Sequence, residues 1–323
     1  MNVAMRTGAA RPMTQYPWRE IASGLGFPEG PVVLPDGSVL VCEIEACRLT
    51  RIRPDGSRET VLDIPGAPNG AAVGADGALY ICNNGDGFAW GAPGGVTQPV
   101  GGNPGYSGGR IERVDLATGE IAEICREVDG HPLLMPNDLA IDRDGGIWFS
   151  DHGMREPRSF VHGGLYFVRP DGTGARTVAY PVTTANGVGL SPDGGTVYCA
   201  DTETGRLHAW TITGPGEVAP ADPAFPGASV LAQLEGFRRY DSLAVEACGN
   251  ICVAGLTPGC ISVISPEGRE VETVETPDPF TTNLAFGGPD MRTAYITLSG
   301  SGRLIAMDWP RPGLAPNFSG LAA

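Results

Sequence analysis

The chain has 323 residues, of which 41% are hydrophobic and 18% charged, with a formal net charge of −15 at pH 7. That apolar share rules out a disordered chain, and the acidic balance argues against nucleic acid or an anionic membrane as partner, because both repel it. No run of about 18 apolar residues is present, so no membrane-spanning helix is expected. Forty-eight glycines and 29 prolines, without a collagen period, predict many short strands and tight turns.

In chain order, Met1 to Met13 carries two arginines and no apolar core of a signal peptide. Residues 1–15 therefore read as a flexible tail, residues 16–312 as one domain and residues 313–323 as a C-terminal tail. A cytoplasmic location is expected. The eight cysteines then default to reduced, mostly buried thiols. A Cys42–Cys47 hairpin disulfide is the minority alternative, and Cys248 and Cys252 lie too far apart along one strand to share zinc.

An internal repeat organises the rest. Six times an acid or amide residue opens a short apolar strand, followed by a turn and a second apolar strand. The copies start at Glu29 (EGPVVLPDGSVLVCE), Asn69 (NGAAVGADGALYICN), Asn137 (NDLAIDRDGGIWFSD), Asn186 (NGVGLSPDGGTVYCAD), Asp241 (DSLAVEACGNICVAG) and Asn283 (NLAFGGPDMRTAYITL). Successive starts lie 40, 68, 49, 55 and 42 residues apart, and such a period is the mark of a propeller or solenoid. Asp36-Gly37, Asp76-Gly77 and Asp193-Gly194 supply hairpin turns, and Asp55-Gly56 and Asp171-Gly172 close outer hairpins. The expected fold is all-β, a six-bladed propeller of four-stranded antiparallel blades around a central channel. Ring closure calls for a strand at Trp18 to Ala22 paired with Leu304 to Trp309.

The 68-residue spacing holds an insertion, Asn84 to Gly109, with Phe88, Trp90 and Tyr106 among glycines and prolines. A loop of this length reads as a lid over the pocket or as a loose surface excursion. Gly105 to Gly109 matches G-x-S-x-G, but a strand-like RIERVDL follows where a nucleophile elbow needs a helix. Asp142 to Gly145 lacks the downstream Glu of a calcium loop and reads as a hairpin turn. His131 and His162 read as loop residues and His208 as part of an outer strand.

In a propeller the innermost strands line the channel, so equivalent positions converge on one axis. Glu29, Asn137, Asn186 and Asp241 would then aim oxygens at a common centre. Each alone reads as a turn or backbone cap. Together, two carboxylates at close quarters call for a positive charge between them. An oxygen-only donor set without His or Cys favours a hard divalent cation, Ca²⁺ or Mg²⁺, over zinc. His152 and Arg155 follow the third copy and are candidates for the pocket mouth and for substrate binding.

The segments FPEGPVVLPDG, MPNDLAIDRDGGIWFSD, TANGVGLSPDGGTVYCAD, YDSLAVEACGNICVA and TNLAFGG, in that order, resemble the SMP-30/gluconolactonase/luciferin-regenerating-enzyme family from about Trp18 to Trp309. GGLYFV and TETGRLHAW look most like its bacterial lactonase branch. The resemblance implies one catalytic divalent cation, with Ca²⁺ the expected ion and Mg²⁺, Mn²⁺ and Zn²⁺ left open. It implies Glu29, Asn186 and Asp241 as direct ligands, and Asn137 at the metal or its bound water and substrate. Tyr240 and Ser242 replace the Pro and Gly that often flank the ligand Asp in the family, which alters the pocket's shape. The implied activity is hydrolysis of a small sugar lactone, with Asp241 as first candidate for the base and Asp138 as second. A phosphotriester hydrolase on the same metal and a non-catalytic binding platform are the alternatives. Monomer and dimer are both open.

Overall fold

The structure, a computed structural model, describes residues 13–156, 158–220 and 230–321. Residues 1–12, most of the expected N-terminal tail, lie outside the described residues.

Six antiparallel sheets form the blades. Their inner strands are Pro28–Val33, Pro68–Val73, Pro136–Ile141, Ala185–Leu190, Tyr240–Val245 and Thr281–Gly287. Each inner strand packs against the inner strands of both neighbouring blades, so the six close into a ring. Blade 6 takes its outermost strand from the N-terminal side: Trp18–Ser23 pairs antiparallel with Arg303–Asp308, with Ala22 opposite Leu304. The expected closing strand is therefore present. In blade 4 the third strand, Arg206–Gly214, pairs with two short outer pieces, Glu217–Val218 and Val230–Ala232.

Burial falls from the axis outward, which explains the sequence pattern. The second strands Val39–Glu43, Leu79–Asn83 and Ile147–Asp151 are buried at every residue. The outer strand Arg58–Asp63 has no buried residue. Strands buried on both faces read as continuous apolar runs, and edge strands carry charge. The five Asp-Gly turns named above have their glycine at positive φ, between +72° and +83°. Gly30, at φ +49°, permits the close approach of blades 1 and 2, because a Cβ there would stand 2.2 Å from the Asn69 carbonyl.

The lower end of the channel is stitched by the chain's last described residues. Gly313 N–H donates to the Met291 carbonyl and Leu314 N–H to the Val245 carbonyl, both at 2.8 Å. Asn317 Nδ2 donates to the Ile141 carbonyl at 2.9 Å, so this segment joins blades 6, 5 and 3. Beside it the buried Glu246 carboxylate accepts from Trp309 Nε1 at 2.7 Å, Arg311 Nε at 2.6 Å and Asn250 Nδ2 at 2.8 Å. Removing one partner of such a buried, hydrogen-bonded pair costs about 3–5 kcal/mol. At the other terminus, Thr14 N–H donates to the Thr273 carbonyl at 2.7 Å. All eight cysteines are free, six of them buried, so Cys42 and Cys47 are not bridged. Among the described residues no helix is long and apolar enough to cross a membrane.

Candidate metal centre

The polar residue that opens each repeat sits where its inner strand breaks register. A bulge or irregularity follows Pro28-Glu29, Pro68, Pro136, Ala185, Tyr240 and Thr281 in the six blades. An extra residue there frees the side chain from the alternating pattern and re-aims it, a frequent device beside functional sites. Glu29, Asn69, Asn137, Asn186, Asp241 and Asn283 are all buried at these breaks.

Glu29, Asp138 and Asp241 are close enough to act on one another electrically. Burial pushes the Glu29 carboxyl above its ordinary range, against hydrogen bonds from Asn283, Gly30 and Thr282. Asn283 Nδ2 donates to Glu29 Oε2 at 2.9 Å. Burial, then repulsion from Glu29, raises Asp138 to about 7. Burial and Glu29 also drive Asp241 well upward, with the Asn186 amide and the Arg239 charge opposing. Three buried carboxylates that repel one another are costly unless a positive charge joins them.

The amides show the complementary lack. Asn69 Oδ1, Asn137 Oδ1 and Asn186 Oδ1 are buried and accept no hydrogen bond, although Asn186 Nδ2 donates to Thr202 Oγ1 at 3.1 Å. A buried acceptor without a donor costs about 1–3 kcal/mol, and a cation satisfies it. Among the described residues no three His, Cys, Asp or Glu side chains come together as a metal cluster, so a cation here needs the amide oxygens as well as the carboxylates. Oxygen-only donors fit a hard divalent ion such as Ca²⁺.

The two candidate base residues differ in their surroundings. Asp138 Oδ1 accepts the Leu139 N–H at 2.9 Å and Oδ2 the Val188 N–H at 3.3 Å, so it ties blade 3 to blade 4. A Cβ on Gly70 would stand 2.5 Å from Asp138 Oδ1, so the glycine leaves room for this carboxylate. Among the described residues no backbone N–H donates to Asp241. A chamber of about 500 Å³ is lined by Gly30, Asp138 and Asn283 and by Leu314 to Asn317, among others. Glu29, Asn186 and Asp241 do not line it.

The upper face is built by loops. His152 is half-buried, and burial lowers its imidazole to about 4, so it is neutral near pH 7. Arg155 is exposed on the hairpin Met154–Glu156 and Ser159–Val161, with Nη2 3.3 Å from Glu203 Oε2. Arg239 Nη2 donates to the other Glu203 oxygen at 2.8 Å. The insertion is an ordered hairpin, Phe88–Gly91 against Gln98–Gly102. Trp90 packs 4.8 Å from the Phe27 ring, and Thr97 N–H donates to the Gly300 carbonyl at 2.9 Å. It thus leans on the loops of blades 1 and 6, on the side where the inner strands begin.

Of the residues set aside by sequence, Ser107, Asp142 and His162 fall where expected, whereas His131 lies in the short strand His131–Pro132. Ser107 Oγ donates to the Gly85 carbonyl and the strand Arg110–Val114 follows it. Asp142 Oδ1 accepts the Asp144 and Gly146 N–H groups as a hairpin turn does. His208 is buried on the third strand of blade 4, not at its edge, with Nε2 3.8 Å from Asp201 Oδ2. Asn69, Asn283 and Arg239 were not among the candidates. The repeat itself carries a signal for the first two, and none for Arg239.

The family described as SMP-30/Gluconolactonase/LRE-like region matches residues 27–300. A relative named lactonase drp35, from Staphylococcus saprophyticus, is 28% identical over 82% of this chain and 74% of its own. A 6-deoxy-6-sulfogluconolactonase from Pseudomonas putida is 30% identical over 55% of this chain and 59% of its own. The crystal structure of a calcium-binding protein, regucalcin, from Agrobacterium tumefaciens superposes with TM-score 0.74 at 19% identity, covering 95% of this chain and 98% of that one. That last likeness speaks to the fold.

Proposed function

This chain belongs to the SMP-30/gluconolactonase/LRE-like family, and from that premise we propose that it is a divalent-cation-dependent hydrolase that opens a small sugar lactone. The observation that carries the reading is the pairing of three mutually repelling buried carboxylates with three buried amide oxygens that lack donors. The relatives named as lactonases support the substrate class. The eight unpaired thiols suit a reducing compartment such as the cytoplasm.

In this reading Glu29, Asn186 and Asp241 hold the cation, Ca²⁺ by preference, and Asn137 faces both the cation and the substrate. The bound cation supplies Lewis-acid polarisation of the lactone carbonyl. Asp241 takes a proton from the attacking water as the new C–O bond forms. The ring C–O bond then breaks, and the proton passes to the departing ring oxygen, which leaves a hydroxy acid. Asp241 is preferred to Asp138 as base because both Asp138 oxygens already accept backbone N–H groups. Neutral His152 offers the substrate hydroxyls a hydrogen bond at the mouth, and the hairpin around Trp90 limits water entry as a lid.

The test is an assay of metal-stripped protein on aldonolactones and on fluorophosphates, with Ca²⁺, Mg²⁺, Mn²⁺ or Zn²⁺ restored singly. Aldonolactone opening is expected to return at least about 100-fold with the right ion. Preference for the fluorophosphate moves the reading to a phosphotriester hydrolase, and inactivity on both with every ion favours a binding platform.

A further inference from the structure

Two residues before each repeat's polar position, the chain carries Phe27, Ala67, Met135, Thr184, Arg239 and Thr281. Only one of these is charged. Arg239 ends the loop that enters the inner strand Tyr240–Val245, two residues ahead of Asp241, in a protein whose net charge is −15.

Arg239 does not have its ion-pair partner to itself. Glu203 is shared: Arg239 Nη2 lies 2.8 Å from Oε1 and Arg155 Nη2 3.3 Å from Oε2. Two guanidiniums share this one carboxylate, so Glu203 alone does not neutralise both. Arg239 Nε is buried and donates to nothing, and a buried donor left unpaired is costly. Arg239 thus stands between Asp241, two residues on in the chain, and the Arg155 hairpin, which it meets through Glu203. A planar guanidinium with spare N–H groups is suited to a bidentate oxyanion.

We propose that Arg239, seconded by Arg155, is a specificity-determining subsite that binds an anionic group carried by the substrate away from its lactone ring, a carboxylate or a sulfonate. This rests on the lactonase reading and narrows it to acidic sugar lactones. Arg239 Nη1 donates to the substrate oxyanion, and Glu203 holds the guanidinium in place through Nη2.

The experiment compares kcat/KM for glucono-1,5-lactone, which is neutral, with that for glucaro-1,4-lactone, which carries a carboxylate, in wild type, Arg239→Gln, Arg239→Lys and Arg155→Gln. The ratio of acidic to neutral substrate is expected to fall at least tenfold in Arg239→Gln, through KM, and to recover in part in Arg239→Lys. Arg155 is exposed, so Arg155→Gln keeps the fold; it is expected to lower the ratio two- to fivefold. A calcium-dependent thermal shift, recorded for each variant, separates loss of the subsite from loss of the site. A ratio within threefold of wild type in Arg239→Gln overturns the inference. Equal losses on both lactones, with the calcium shift gone, also overturn it and make Arg239 a counter-charge to the carboxylates. Wild-type hydrolysis of the neutral lactone with no gain on the acidic one refutes the subsite alone, whereas hydrolysis of neither refutes the lactonase reading with it.

Discussion

Asp241→Asn is expected to lower kcat/KM on an aldonolactone by at least about 10³-fold, within the range that loss of a general base produces. The substitution keeps the shape of the side chain and one oxygen, so cavity formation cannot account for the loss. It removes a negative charge that burial and Glu29 already strain, and with it both the proton acceptor and part of the grip on the cation. The two contributions separate by saturation: if excess Ca²⁺ restores occupancy but not rate, Asp241 acts on the proton. Asp138→Asn is the control, because its oxygens are taken by the Leu139 and Val188 N–H groups. Near-normal turnover in Asp241→Asn, with collapse in Asp138→Asn, would exchange the two roles.

The second large effect changes sign with the metal. Without a cation, Glu29 opposes Asp138 and Asp241 across a buried space. Glu29→Gln keeps an oxygen to accept the Asn283 amide and removes that repulsion. Without that repulsion the stripped variant is expected to melt above the stripped wild type, by about 2–4 °C for each kcal/mol relieved. With Ca²⁺ at 100 times its dissociation constant the wild type gains about 2.7 kcal/mol, and the variant is expected to gain almost nothing. Scanning calorimetry with and without EDTA reads both. A variant destabilised in both states would mean that Glu29 serves packing rather than charge.

The ring itself was legible in the sequence because each of its parts has a local cause. Gly37, Gly77 and Gly194 sit at positive φ because their hairpins require it, and the closing strand at Trp18–Ser23 follows from the need to leave no open edge. The repeat also marked one buried polar position per blade, at the register break of each inner strand. What stayed illegible depends on contacts between distant segments. Trp90 finds Phe27, Asn317 finds Ile141, and Glu203 is shared by two arginines from different loops. No periodicity marks Arg239, because one blade alone carries a charge at that place. Asn69 and Asn283 had the repeat in their favour, yet only their burial and partners tell a cation-facing amide from one that braces Glu29.

Oxygens from separate blades would cage one cation on the propeller's axis. The most direct measurement is metal content by mass spectrometry on protein purified with calcium, in wild type and in Glu29→Gln. One divalent ion per wild-type chain, removed by EDTA and absent from the variant, is the predicted result. A wild-type protein that opens lactones while holding no ion, or a variant that holds it as tightly, would contradict the account.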